Sequence, residues 1–165
     1  MARSVPACRI HQRVRTVIEA GKALGVDVAP REFPEGTRSA ADAARAIGVD
    51  VGAIVKSLLF AVDGEAVVAL VSGANLLDEP KLAAAAGGSS AWRQDADTVR
   101  EVTGFPVGGV PPFGHRQPLR TFVDEDLVGH REVWAAAGTT SVNFPIAPEA
   151  LVRATAGTVC DLARR

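Results

Sequence analysis

Several residue types that commonly carry enzyme chemistry are scarce or absent in this 165-residue chain. It has no tyrosine, and its three histidines, His11, His115 and His130, lack the spacing of a metal site. No Walker loop, GxGxxG or HExxH motif occurs, and GGSSA at 87–91 lacks the final glycine that a GxSxG nucleophile elbow needs. We therefore expect neither a metal nor another cofactor, and a serine-triad enzyme is disfavoured.

Cysteine and long apolar runs are also in short supply. The two cysteines, Cys8 and Cys160, lie near opposite ends with no CxxC partner, which predicts reduced thiols, with one disulfide between them as the alternative. No stretch approaches the roughly 20 apolar residues of a membrane span, and the first residues contain no apolar core of a signal peptide. These features predict a cytoplasmic protein that does not enter a membrane.

Charge is nearly balanced, with a formal net charge of −1. Such a balance argues against a protein that coats nucleic acid through its overall charge, although a local patch remains available. Positive side chains are concentrated near the amino terminus, at Arg3, Arg9, His11, Arg13, Arg15 and Lys22. This cluster is either a solvated helix face or a contact for a polyanion.

The clearest local structure is a hairpin in IVKSLLFAVDGEAVVALVSG, residues 54–73. Two runs rich in valine, leucine and isoleucine flank Asp63-Gly64, a dipeptide that the tight turns of hairpins prefer. A chain of this length buries roughly two thirds of its unfolded surface in one core. We therefore predict a single domain, residues 1–165, that contains this hairpin at its centre.

Helices and strands interleave irregularly around the hairpin. An amphipathic helix is predicted over about 8–24, and VDVAPREF alternates like an edge strand interrupted by Pro30. The other predicted helices are an alanine-rich one capped by Thr37 or Ser39 and ended near Gly48, and three more at 78–86, about 97–103 and from Pro148; predicted strands lie at 120–123, 131–136, 139–146 and 157–162. The fold class is therefore α/β, with a mixed, mostly antiparallel sheet or partly closed barrel surrounded by helices.

Lys56 is an unusual residue within the predicted hairpin. Alternation places it on one face of its strand with Leu58 and Phe60, and both faces of the strand look buried. A buried ammonium needs an anionic partner, access to water or the loss of its proton. Because the chain has 15 arginines and only three lysines, a lysine here indicates a need for a compact point charge. The alternative is a strand-end lysine that reaches solvent or pairs with a core carboxylate.

A second unusual feature is GGVPPFGH, residues 108–115. Its glycines and prolines exclude a helix interior or a central strand, yet Phe105, Val107 and Phe113 flank it as in a buried segment. Glycine lets backbone amides approach a ligand and proline holds a loop in one shape, so the loop could present a preorganised set of N–H donors. A rigid structural turn is the alternative.

The order of several motifs resembles the YbaK/EbsC family. IVKSLLF is followed by LVSGANLLD at 70–78, VTGFPVGGVPPFGH at 102–115, FVDEDLVGHREVWAAAGT at 122–139 and PEAL at 148–151. That family is related to the editing domain inserted in bacterial prolyl-tRNA synthetases, and it includes free-standing proteins that deacylate mischarged tRNA. The resemblance covers about residues 30–163 and implies a YbaK-like fold.

The resemblance also implies roles for individual residues. Lys56 matches the family lysine that lies near the terminal adenosine of the tRNA and is needed for activity. The segments that hold or line the aminoacyl site correspond to Gly108, Gly109, Val110, Pro111, Pro112, Ser72, Gly73, Ala136, Gly138 and Asn143. Asn75 belongs to the same segment as Ser72 and Gly73.

Two positions depart from the family pattern. Ala136 stands where members that remove cysteine carry serine and those that remove alanine carry histidine, and Asn143 stands where aspartate can occur. The amino-acid preference therefore does not carry over. The small residue at 136 leaves room for a small substrate such as alanine, serine, threonine or cysteine.

The resulting hypothesis is a hydrolase that edits in trans by deacylating mischarged aminoacyl-tRNA. Lys56 would hold the phosphate or ribose of the terminal adenosine, and the amides of Gly108–Pro112 would orient the aminoacyl carbonyl for attack by water. The expected partners are the acceptor end of tRNA and, second, an aminoacyl-tRNA synthetase, with the oligomeric state left open. The alternatives are a non-catalytic module that binds tRNA or a synthetase on the same fold, and a small-molecule hydrolase.

Overall fold

The structure is a computed structural model that describes residues 3–4 and 10–165. The helices in this part of the chain are α1 (Gln12–Ala23), α2 (Ala40–Ile47), α3 (Glu79–Ala85), α4 (Ala96–Thr103), α5 (Glu125–Val128) and α6 (Pro148–Thr155). The strands are β1 (Arg3–Ser4), β2 (Arg31–Glu32), β3 (Val55–Val62), β4 (Glu65–Ser72), β5 (Ala91–Arg93), β6 (Arg120–Asp124), β7 (Val133–Ala136), β8 (Val142–Ile146) and β9 (Thr158–Cys160). A short 3-10 turn, Val51–Ala53, precedes β3.

The strands form two sheets. One has the order β1-β2-β8-β7 and is antiparallel throughout. The other has the order β5-β3-β4-β6-β9, in which β4, β6 and β9 are parallel and the remaining pairs are antiparallel. The predicted α/β class with a mixed, mostly antiparallel arrangement is therefore confirmed. The described strands do not close into a barrel, and the two sheets meet where Ile54 forms a parallel bridge with Trp134.

The predicted hairpin is present as β3 and β4, which pair along their whole length. Asp63 and Gly64 have φ angles of 49° and 86°, as a type I′ turn requires at both central positions. The Asp63 carboxylate also accepts the backbone N–H groups of Ser89 and Ser90 at 2.9 and 3.0 Å. These bonds attach the turn to the segment that leads into β5, so β5 is held against β3.

The two faces of the hairpin pack into different layers. Leu59 and Leu70 contribute to the larger core, beneath α1, α6 and the β7–β8 pair. Phe60 and Val67 point to the opposite face, where they pack with Leu162 and residues of α3. Each such side chain contributes roughly 1.5–3 kcal/mol when fully buried, so burial on both faces stabilises the hairpin within the fold.

The predicted helices are present, with small changes of boundary. Ser39 caps α2 by accepting the Asp42 N–H at 3.1 Å, and Gly48 ends that helix with a φ of 84°. The amino-terminal helix begins at Gln12, whereas residues 8 and 9 of its predicted range lie outside the described residues. Cys8 lies outside them too, so the state of the two cysteines stays a prediction. Over residues 3–4 and 10–165, no helix combines the length and apolar character needed to cross a membrane.

Three strands differ from the prediction, and the first of them, β1, lies where no strand was predicted. The edge strand expected in VDVAPREF is reduced to the two residues of β2, directly after Pro30, because proline lacks the N–H that a ladder needs. The three-residue strand β5 has no counterpart among the predicted strands. Its pairing with β3 comes from the tertiary structure, since three residues are too few to show an alternating pattern.

Candidate functional site

A cavity of about 300 Å³ lies beside β3, where β5 stops. β5 pairs only with Phe60–Val62, so the earlier residues of β3 border open space. The Gln94 N–H still donates to the Leu59 carbonyl at 3.1 Å, and the chain then leaves the sheet because Asp95 caps α4, accepting the Thr98 N–H at 2.8 Å. One side of the cavity, the strand wall, consists of residues from β3 and the end of β5: Lys56, Ser57, Leu58, Leu59, Arg93 and Gln94. The other side, the loop wall, consists of Val107, Gly108, Val110 and Ala136.

Lys56 is the half-buried cation of the strand wall. Its Nζ donates a hydrogen bond to the backbone carbonyl of Asn75. Burial lowers the pKa of Lys56, the nearby Arg93 lowers it further, and the negative charge of Asp124 opposes both effects. Among the described residues Lys56 forms no ion pair with a carboxylate. This ammonium is thus poorly solvated and suited to an anionic ligand that enters the cavity.

The loop wall presents backbone donors. Gly108 has a φ of 85°, and the Gly109 N–H closes a turn onto the Pro106 carbonyl at 2.9 Å. The N–H groups of Gly108 and Val110 donate to no acceptor within residues 3–4 and 10–165. Both residues line the cavity, so two backbone donors without an acceptor among the described residues belong to this wall.

The loop is braced from its far side. The Nε2–H of His115 donates to the Pro111 carbonyl at 2.7 Å, and burial lowers the pKa of His115 more than this bond raises it. Phe105 and Phe113 lie in the larger core, as the sequence predicted for these anchors. Val107 differs from that prediction, because its side chain is 38% exposed and forms part of the loop wall.

Ala136 and Asn143 also line the cavity, and they form a residue pair between β7 and β8. The buried Asn143 side chain donates to Thr37 Oγ1, which itself donates to the Thr140 carbonyl at 3.2 Å. Asn143 therefore ties the segment before α2 to β8. Ala136 contributes a small, apolar surface to the cavity.

The remaining residues that the resemblance proposed lie behind the cavity surface rather than on it: Ser72, Gly73, Gly109, Pro111, Pro112 and Gly138. Two of these glycines allow close approaches. A Cβ at Gly73 would lie 2.4 Å from the Val51 carbonyl oxygen, and a Cβ at Gly138 would lie 2.9 Å from the backbone of Arg13. Ser72 donates to the Gly52 carbonyl at 2.8 Å. These residues fix the positions of the elements that carry the walls.

Several lining residues had no sequence signal. Arg93 belongs to the unpredicted strand β5, and Arg38 precedes α2 in a segment that looked like an ordinary cap. Ser57 was assigned to the strand face opposite Lys56, yet both side chains border the cavity because β3 has an open edge there. The Ser57 hydroxyl is buried and lacks a hydrogen-bond partner among the described residues.

A shallower groove of about 230 Å³ lies at the other end of the same loop. It is lined by Gln12, Arg13, Thr16, Thr103, Gly104, Phe105, Gly114 and Arg116, a set that contains two arginines and no acidic residue. Neither arginine forms an ion pair within the described part of the chain. Phe105 borders the groove and Val107 borders the cavity, so one loop separates the two.

Comparison with known proteins points to one family. The aminoacyl-tRNA editing domain matches residues 34–154. The proline–tRNA ligase of Maridesulfovibrio salexigens is 37% identical over 101 residues, which are 61% of this chain and 17% of that protein. EbsC of Enterococcus faecalis, provisionally described as a Cys-tRNA(Pro)/Cys-tRNA(Cys) deacylase, is 27% identical over 131 residues, or 79% of this chain and 80% of the relative. A crystal structure provisionally described as a trans-editing enzyme for prolyl-tRNA synthetase superposes with a TM-score of 0.89 at 42% identity, covering 94% of this chain and 99% of its own.

Proposed function

The chain belongs to the family of aminoacyl-tRNA editing domains, and we propose that it hydrolyses the ester of mischarged aminoacyl-tRNA bearing a small amino acid. One observation carries this proposal. Lys56 lines the same cavity as Gly108 and Val110, two loop residues whose N–H groups have no acceptor among the described residues. An aminoacyl ester next to a terminal ribose and phosphate has a carbonyl for the donors and an anion for the cation.

The chemistry needs positioning more than a nucleophilic side chain. An aminoacyl ester is already reactive, so water attacks its carbonyl carbon and generates a tetrahedral oxyanion. The Gly108 and Val110 amides would stabilise that oxyanion, and removal of one such donor typically costs about 10²–10³ in rate. The bond to the ribose oxygen then breaks and that oxygen takes a proton, which releases the free amino acid and the deacylated tRNA.

The strand wall would hold the nucleic-acid end of the ester. Lys56 and Arg93 are the cations of this wall, and Arg38 lines the cavity from the segment before α2. Phosphate and ribose oxygens are suitable acceptors for these donors, since charge-assisted bonds are the strong ones. Binding the terminal adenosine here would leave the aminoacyl group to extend toward the loop wall.

The size of the amino acid would be set by the apolar residues that line the cavity. Val99, Val110 and Ala136 supply apolar surface, and the total space is about 300 Å³. Apolar walls discriminate by about 1–3 kcal/mol per methylene, but they exclude a side chain that is too large to enter. Alanine, serine, threonine and cysteine are therefore the proposed substrates.

The tRNA body would extend beyond the cavity. The groove lined by Arg13 and Arg116 is positively charged and is separated from the cavity only by the loop. Phosphates of the acceptor stem fit this charge, since basic side chains supply most of the affinity for a nucleic-acid backbone. A synthetase that hands over the tRNA is a second proposed partner, and an activity on tRNA would place the protein in the cytoplasm.

A deacylation assay tests the function. Wild-type protein would be incubated with tRNA(Pro), tRNA(Ala), tRNA(Ser), tRNA(Thr) and tRNA(Cys), each charged with cognate and non-cognate amino acids, and compared with Lys56→Ala and Lys81→Ala. Lys81 is the matched control, because it lies outside the cavity in a partly exposed ion pair with Asp161. We expect Lys56→Ala to lose about 100-fold or more in kcat/KM and Lys81→Ala to keep the wild-type value.

Two results would contradict the proposal. If Lys56→Ala deacylated every charged tRNA as fast as wild type, Lys56 would have no role in the reaction. If the wild-type protein retarded tRNA in a gel without cleaving any ester, the non-catalytic binding module would be the correct interpretation.

A further inference from the structure

A buried polar cluster lies behind the carbonyl that binds Lys56. We call it the Asp124 cluster: Ser72, Asn75, Asp124 and Asp126. Asp124 is 0% exposed, and its Oδ2 accepts the Ser72 N–H at 3.2 Å and the Asn75 side-chain amide at 2.8 Å. Its Oδ1 accepts the Asp126 N–H at 3.2 Å. A buried carboxylate is costly unless donors satisfy it, so three N–H groups converge on it here.

Asn75 is fixed from several sides. Its side-chain amide donates both to Asp124 and, at 2.7 Å, to Asp126 Oδ2. Its own N–H closes a turn onto the Ser72 carbonyl at 2.9 Å. Both ends of the turn are thus tied down, which leaves the Asn75 carbonyl in one place to accept the Lys56 ammonium.

The sheet places Asp124 on the same face as Lys56. Lys56 pairs with Val71, and Leu70 of the same strand pairs with Val123. Asp124 is the next residue of β6, so it lies opposite Val71, in the same row across the sheet as Lys56. Asp124 and Lys56 are two strands apart, a distance of about 10 Å at the usual strand spacing. The carboxylate is close enough to affect the ammonium electrostatically, while the Asn75 carbonyl makes the direct contact.

We propose that Asn75 and Asp124 are positioning residues for Lys56: Asp124 holds the turn from Ser72 to Asn75, and the turn presents the carbonyl that keeps the ammonium at the cavity. This inference rests on the proposed function, since only the deacylation of tRNA gives the ammonium a substrate. Neither residue touches the substrate. Both act through the lysine.

Charge gives Asp124 a second effect on the lysine. The charged groups that act on Lys56 are Arg93 at the end of β5 and Asp124 at the end of β6, and Arg38 lines the same cavity. Asp124 raises the pKa of Lys56 while burial and Arg93 lower it. Loss of the Asp124 charge would therefore let the ammonium lose its proton at a lower pH, and loss of the Arg93 charge would have the opposite effect.

Lysine NMR measures this effect without activity. The chain has three lysines, so ¹³C-lysine labelling gives three side-chain signals, and Lys56→Ala identifies the one of interest. We expect the Lys56 pKa to fall in Asp124→Asn and to rise in Arg93→Gln. Asp126→Asn is the matched control, because the Asp126 carboxylate also binds Asn75 but is not among the charges that shift the pKa of Lys56. An unchanged Lys56 pKa in a folded Asp124→Asn protein would overturn the electrostatic part.

Kinetics test the positioning part. Asn75→Ala keeps the backbone carbonyl but frees the turn, so we expect kcat to fall roughly 10- to 100-fold with a smaller change in KM, as for a displaced catalytic group. In Asp124→Asn the alkaline limb of the kcat/KM profile should move to lower pH. Asn75 is partly exposed, so we expect Asn75→Ala to fold. This variant therefore still tests the positioning role if Asp124→Asn does not fold.

The outcomes separate this inference from the proposed function. If Lys56→Ala is inactive while Asn75→Ala remains folded with wild-type kcat, the positioning role is wrong and the function stands. If Lys56→Ala is as active as wild type, the function fails, and the lysine titration still reports whether Asp124 acts on Lys56.

Discussion

The two walls of the cavity use different parts of the polypeptide. The strand wall is regular backbone that carries charged side chains, Lys56 and Arg93. The loop wall is irregular backbone apart from Ala136 of β7, and it contributes two N–H groups without a described acceptor and apolar side chains. A side-chain function can be replaced by a similar side chain, whereas a backbone function depends on the φ angles of the loop. The loop wall should therefore tolerate substitution less well.

The largest effect that separates the walls is expected at Gly108. Gly108→Ala places a Cβ 3.0 Å from Arg38 Cγ and 3.1 Å from the Arg38 carbonyl oxygen, at a φ of 85°. The loop must shift to relieve these contacts, and a displacement near 1 Å costs on the order of 100-fold in kcat/KM. The matched control is Gly87→Ala, which has a φ of 77° and no neighbour within 4 Å. It carries a similar backbone strain of about 1–2 kcal/mol and should keep its activity.

A smaller effect is expected at Ala136, an apolar residue of the loop wall. Ala136→Val adds two methyl groups to a cavity of about 300 Å³. We expect a loss of about 10- to 200-fold for threonyl esters and a much smaller loss for alanyl esters. The measurement is the ratio of kcat/KM for the two esters on one tRNA, so a general loss of stability cancels. Equal losses would show that residue 136 does not set the size limit.

A weaker effect is expected from the groove beside the loop. In Arg13→Ala/Arg116→Ala, the slope of log KM against log salt should decrease by about two, roughly one for each lost phosphate contact. An aminoacyl-CCA trinucleotide, which lacks the stem, should be cleaved as by wild type. Arg153→Ala/Arg164→Ala is the control, since it removes two exposed arginines elsewhere. An unchanged slope would show that the positive side chains of α1 form a solvated helix face and do not contact tRNA.

The smallest effect concerns the brace behind the loop wall. The pKa of His115 is lowered by burial, so the unfolded chain binds a proton more readily than the folded one. Stability is therefore complete above the unfolded pKa of about 6.5 and declines as the pH falls through the lowered pKa of the folded state. The Tm should drop by roughly 2–4 °C for each kcal/mol lost in a chain of this size. His115→Gln should show a smaller drop between pH 7 and pH 5 in thermal unfolding, and an equal drop would assign the acid sensitivity to other groups.

The strand wall and the loop wall also differ in how far the sequence predicts them. The hairpin follows from local chemistry, because Asp63-Gly64 fixes the turn and alternation fixes the faces. Lys56 and Gly108 were identified by unusual composition and by the resemblance, and both border the cavity. Arg93 and Arg38 were missed because their placement depends on where β5 ends and on how α2 packs. Val107 was expected to be an anchor, but hydrophobicity does not distinguish a residue that lines a cavity from one in the core.

Local sequence signals also did not predict the parallel part of the sheet. β4, β6 and β9 are far apart in the chain, and their registers are fixed by burial of the shared core rather than by a turn. The Asp124 cluster depends on this pairing, since it brings the end of β6 next to the end of β4. A residue such as Asp124 looks like a helix cap in the sequence, which it also is. Its effect on Lys56 is visible only in three dimensions.

The early end of β5 has one more consequence. Over residues 55–58, no strand of the described chain pairs with the cavity side of β3, so backbone groups that normally attract another strand are left open. Exposed edges of this kind promote aggregation, and proteins often protect them with positive charge. Here Lys56, Arg93 and Arg38 line the cavity beside the open edge. The side chains proposed to bind the tRNA end would thus also repel the strands of neighbouring molecules, and a variant that neutralises them would be more prone to self-association.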